Sequence, residues 1–115
     1  MKYLSRAHLQ KLEELKKERL LLECVEQLER VSIPDAFPPK REDYYAFAEH
    51  IYNVAHEYGL RDRRAIFALL LAWHIKGDGI LEDRSFVEVL CDATMSSAQK
   101  SEFIEKHILD AMPGG

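Results

Sequence analysis

From Tyr44 to Tyr58 the apolar residues Tyr44, Phe47, Ala48, Ile51, Val54, Ala55 and Tyr58 recur at steps of three and four. Residues so spaced share a helical face, so they draw one unbroken stripe down a helix of about five turns. Comparable blocks continue to Ala111, and no stretch alternates with period two. A chain patterned this way buries its apolar residues by laying helices against one another. The expected class is all-α: a compact single-domain bundle of about five helices across residues 1–115, with a proline-rich linker at 32–40.

At 115 residues the chain has room for one modest core. Hydrophobic residues at 47% beside 31% charged are the balance of a folded globular protein, not of a disordered one. A formal charge of −4 offers no electrostatic footprint for nucleic acid or for an anionic membrane. The start, Met1 to Arg6, runs straight into a charged helix without the apolar core of a signal peptide. No apolar span reaches the roughly 18 residues a membrane helix needs, so the cytoplasm is the expected compartment. Cys24 and Cys91 sit in apolar helical settings and read as two buried free thiols in a reducing environment.

Leu4-Ser5 opens the first helix, with Ser5 as its cap and Leu4 placed to pack on Leu9. The helix runs to about Arg30 without Gly or Pro. Its expected core stripe is Leu9, Leu12, Leu15, Leu22, Val25 and Leu28, widened by Leu20 and Leu21. The charges of its first half, among them a Glu13–Lys17 supporting pair, leave most of that half solvated. Prolines 34, 38 and 39 then forbid helix, while Ile33 and Phe37 are expected to tuck into the core. A second helix from about Arg41 to Tyr58 ends at Gly59, a left-handed C-cap. Asp62 caps a third helix carrying Ile66, Phe67, Leu69, Leu70, Leu71 and Trp73, which has no polar face and should be the buried centre. After a tight turn at Lys76-Gly77-Asp78-Gly79, a short helix from about Asp83 to Cys91 turns Phe86, Val87, Val89 and Leu90 inward. Ser96-Ser97-Ala98-Gln99 is a capping box opening a last helix that buries Phe103, Ile104, Ile108 and Ala111, after which Pro113-Gly114-Gly115 frays.

No catalytic, metal-binding or cofactor-binding set emerges. His50 and His56 are six residues apart and cannot share a metal as an i, i+4 pair could. His74 reads as a partly buried side chain satisfied by a backbone carbonyl, and His8 and His107 lack ligand-type neighbours. Asp78, Glu82 and Asp83 miss the calcium-loop pattern because Ile80 replaces a required oxygen. Arg61, Arg63 and Arg64 read as solvated or ion-paired, or as an anchor for an acidic partner. Tyr45, Glu49, Tyr52 and His56 recur at steps of four, three and four opposite the core stripe, and tyrosine is enriched at binding hot spots. They either cover the first helix or meet a partner. With Asp78, Glu82 and Asp83 they are the candidate partner-binding residues.

The order of features then resembles a known family. Leu4-Ser5-Arg6-Ala7-His8-Leu9, Ala55-His56-Glu57-Tyr58-Gly59-Leu60, Ile66-Phe67-Ala68-Leu69-Leu70 before a Gly turn, Glu82-Asp83, and Ser96-Ser97-Ala98-Gln99-Lys100 carry the likeness. Together they resemble small helical proteins encoded in bacterial type VI secretion effector clusters, beside spike proteins and toxic effectors. The chain departs from that pattern where Asp78 and Arg84 stand in place of prolines. The resemblance implies no catalytic residues. It implies a non-enzymatic protein-binding module, either an immunity protein that blocks a cognate effector or a chaperone that holds an effector for loading onto the spike. A homodimer stays open. A helical DNA-binding regulator is the remote alternative, but it calls for a basic recognition helix, and the third helix is apolar after its first turn.

Overall fold

A helix in a small protein persists when one of its faces is covered, so the placing of apolar faces decides the architecture. The computed structural model describes residues 6–31 and 36–111: α1 (Arg6–Arg30), α2 (Tyr44–Glu57), α3 (Arg63–Lys76), α4 (Arg84–Cys91) and α5 (Ser97–Ala111). Short 3₁₀ turns at Arg41–Asp43 and Gly77–Glu82 lead into α2 and out of α3. The fold is an all-α single-domain bundle, as the spacing predicts. The expectations for Leu4, Ser5, Ile33 and the tail from Pro113, and for the side chains of His8 and Ala111, lie outside the described residues.

The central helix is α3. Ala65, Ile66, Ala68, Leu69, Leu70, Ala72, Trp73 and His74 are all buried in it, and α1, α2 and α5 pack around it. The stripe of α2 faces inward as expected: Phe47, Ala48, Ile51 and Ala55 are buried. Its end is set by local chemistry. Gly59 has φ +78°, its N–H reaches His56 O at 3.2 Å, and Leu60 N–H reaches Ala55 O at 2.8 Å. This paired return satisfies the last carbonyls of α2 and delivers Leu60 into the core.

Helix starts double as joints between helices. Asp62 accepts from Ala65 N–H at 3.2 Å, capping α3, and its other oxygen accepts from the Ser97 hydroxyl at the start of α5. The Ser97 hydroxyl, followed by the Ala65 amide, holds the Asp62 carboxyl below the usual range. Ser96 and Gln99 form the expected reciprocal capping box at 3.1 and 2.8 Å. Asp83 caps α4 through Phe86 N–H at 3.3 Å and also accepts from His107 Nε2 of α5 at 2.9 Å, so His107 does have a polar neighbour. Lys100 is buried, and its ammonium donates to Tyr58 O at 3.0 Å and to Leu90 O at 2.8 Å, tying the ends of α2 and α4 to α5.

Several expectations fail, each for a physical reason. The largest concerns α1, which buries Leu21, Cys24 and Leu28 and leaves Leu9, Leu12, Leu15 and Leu22 exposed. At about 100° per residue, Leu12, Leu15 and Leu22 lie on the side of α1 opposite Leu21, Cys24 and Leu28. Leucines occupy both sides, and the neighbouring helices cover only one of them. Lys17 pairs with Glu49 at 3.8 Å rather than with Glu13, because it lies on the side facing α2. Phe37 remains on the rim, edge-on to Phe47 at 5.7 Å, and Pro38 is the residue that is buried. Val87 and Val89 are only half-buried, since a two-turn helix points one narrow edge inward at Phe86 and Leu90. Cys24 is buried but Cys91, the last residue of α4, is exposed.

Candidate functional site

The exposed side of α1 is built by helical register alone. Leu12, Leu15 and Leu22 fall at steps of three and seven, with Arg19 between the last two, so they align along one edge of the rod. They keep 44%, 53% and 53% of their surface, and Leu9 beside them keeps 48%. Single exposed leucines are ordinary, but these fall in one aligned row on one helix edge. Lys16, Glu18, Arg19, Glu23 and Glu26 border the row and give it a charged rim. Every residue from Leu9 to Lys16 is exposed, so this half of α1 stands clear of the bundle.

The residues expected to contact a partner fall into two places. Tyr52 and Glu49 line the seam between α2 and α1: the Lys17 ammonium lies 5.2 Å from the Tyr52 ring centroid and 3.8 Å from Glu49. The His56 ring lies 4.2 Å from that of Tyr52, tilted by 33°, and its Nδ1 lies 3.0 Å from Tyr52 O. Tyr45 stays exposed at the end of this row. Asp78, Glu82 and Asp83 belong instead to the turn between α3 and α4. Asp78 accepts from Trp73 Nε1 at 3.1 Å, Asp83 is the α4 cap, and Glu82 is exposed. The arginines at the head of α3 are largely paired across helices: Arg63 with Glu23 at 3.0 Å, and Arg64 with Glu105 through two bonds of 3.1 and 2.7 Å.

Among the described residues, no group of three His, Cys, Asp or Glu side chains is arranged to hold a metal ion. No described helix is long and apolar enough to cross a membrane. His50 stands edge-on to Trp73 at 5.7 Å, away from His56. Burial, then the neighbouring Glu23 carboxylate, pushes the Cys24 thiol up to about 12, so it is held protonated.

His74 is wholly buried and clasps the chain before α2. Its Nδ1 donates to Phe37 O at 2.8 Å, Phe37 N–H donates back to His74 O at 2.9 Å, and Nε2 has no partner among the described residues. Burial lowers its affinity for a proton, opposed by the bond to Phe37 O. The folded state therefore holds fewer protons here than the unfolded chain. This contribution to stability is complete above the ordinary histidine value of about 6.5 and is lost as pH falls towards the depressed folded value. The melting temperature should drop between pH 7.5 and 5.5, and drop less in His74→Gln. An equal drop in both proteins would assign the effect to another group.

The sequence shows the leucine row without showing which side of α1 is covered. Its signal was present: one helix carried more leucine than one seam could bury. Compared with known proteins, the chain matches no family model, no curated protein and no solved structure.

Proposed function

We propose that this chain is a non-enzymatic protein-binding module with the leucine face of α1 as its main contact surface. The observation that carries this reading is the aligned row Leu12, Leu15 and Leu22, exposed along the side of α1 that faces away from the core. An amphipathic helix presenting apolar anchors at such steps is a recurrent way of meeting another protein. Tyr45 and the acidic Glu82 add exposed groups elsewhere on the surface.

The setting comes from the sequence resemblance: a bacterial toxin-delivery cassette of the type VI kind, with the protein acting in the cytoplasm. Within it we favour an immunity role, because a mildly acidic bundle has the charge to mask a basic toxin cleft. A chaperone that holds an effector before loading is the second reading, and it draws equally on the exposed α1 face.

Co-expression with the products of neighbouring genes tests both. A one-to-one complex with a toxic effector, and rescue of cells from that toxin, is the expected result. Leu15→Glu together with Leu22→Glu should weaken the complex by about 30-fold or more, the loss typical of removing a hot spot. Binding to an effector without rescue would favour the chaperone. Failure to bind any effector or spike component, joined to hydrolytic activity of the isolated chain, would overturn the proposal.

A further inference from the structure

The leucine face has a charge pattern that selects its occupant. We infer that it docks on the same face of a second copy of this chain, the two α1 helices crossing antiparallel through their exposed halves. This rests on the protein-binding reading above and names the first partner of that surface.

The register supplies the apolar seam. Leu12 and Arg19 are one heptad apart, as are Leu15 and Leu22, and the two series interleave at steps of three and four, the spacing that lets two helices mesh. Arg19 can lay its aliphatic stem along such a seam with its head group in water. In an antiparallel pair centred between residues 13 and 14, Leu12 of each copy faces Leu15 of the other.

The flanking charges decide direction. Lys11 and Glu18 lie one heptad apart on one flank, and Lys16 and Glu23 one heptad apart on the other. A parallel pair sets one flank of each helix beside the opposite flank of its neighbour. That arrangement brings Lys11 to Lys16 and Glu18 to Glu23, two like-charge contacts on each side. An antiparallel pair about a two-fold axis sets each flank against its own copy with the order reversed. Lys11 of each molecule then meets Glu18 of the other, and one attractive contact is made twice. Among the described residues, neither Lys11 nor Glu18 has an ion-pair partner within the molecule, whereas Lys17, Glu23 and Glu29, nearer the core, all do.

The architecture leaves room for the pair. Leu9 to Lys16 touch too little of the bundle to be covered on any side, so two such halves can cross without bringing the cores together. An unsupported helix of this length is marginal in water, and a second copy supplies the cover that the bundle does not. The dimer covers this face in the free chain, so an effector that takes the same face displaces the second copy.

The test is the mass of the purified chain by light scattering and sedimentation, with circular dichroism as the check on folding. The wild-type chain should sediment at about twice its 13.4 kDa when concentrated to about 100 µM, and Leu15→Glu should be a folded monomer. Lys11→Glu and Glu18→Lys should each weaken the dimer by about tenfold. The double variant Lys11→Glu/Glu18→Lys should regain it, because both contacts are re-formed with the signs exchanged. A monomeric wild-type chain, a dimer that survives Leu15→Glu, or a double variant no tighter than the single ones would each overturn the inference. If the chain is monomeric yet Leu15→Glu loses an effector, the dimer falls and the protein-binding role stands. If the face binds neither, both fall together.

Discussion

Trp73→Ala is expected to destabilise the fold by about 3–5 kcal/mol, the usual cost of emptying a large aromatic site in a packed core. Trp73 is 3% exposed on the central helix, lies edge-on to His50 at 5.7 Å, and gives its indole N–H to Asp78 at 3.1 Å. Its removal strips cover from α2 and leaves the turn after α3 without its anchor. For a chain of this size the melting temperature should fall by more than about 10 °C. Trp73→Phe keeps most of the bulk and loses the bond, so its cost should be nearer about 1–2 kcal/mol. Chemical denaturation of the three proteins checks the order. An unchanged midpoint in Trp73→Ala would mean that the interior is built around another residue.

Lys100→Ala should cost about 2–4 kcal/mol, because two carbonyls lose their donor in a place water reaches poorly. The Leu90 carbonyl is among those at the end of α4 that have no partner inside the helix, and the Tyr58 carbonyl stands at the α2–α3 turn. One ammonium serves both. Lys100→Met restores the packing of the stem without the hydrogen bonds, and it should recover less than half of the loss. If Lys100→Met proves as stable as the wild type, the cost of burying the charge equals what the bonds return, and the clamp is neutral to the fold.

The parts of this fold that were legible in the sequence are those written in neighbouring residues. The Ser96–Gln99 box, the Asp62 cap and the Gly59 stop each depend on residues within five positions, and all three form as their chemistry requires. The burial of α3 was legible for a different reason: a helix apolar all round has no choice of face. On α1 there was a choice. Leucines on both sides left the decision to α2 and α3, whose positions follow from the connector and the Schellman-type turn rather than from any residue of α1. The burial of Lys100 is not legible in this way, because a lysine ordinarily faces water. It sits one turn before Ile104 on the core side of α5, and that position was its only local mark. The Asp83–His107 and Asp62–Ser97 contacts join residues 24 and 35 positions apart and required the folded geometry. The candidate site is half-legible in the same way: spacing picks out its leucines, but not the side of α1 that stays open.

Cys24 lies on the covered side of α1, at 0% exposure, while Cys91 is in the open at the tip of α4. An alkylating reagent offered to the native protein therefore meets one sulfur promptly, and the other only when α1 lifts from its neighbours. The slow second modification becomes a clock for that lifting, and it ticks without any probe being added to the chain.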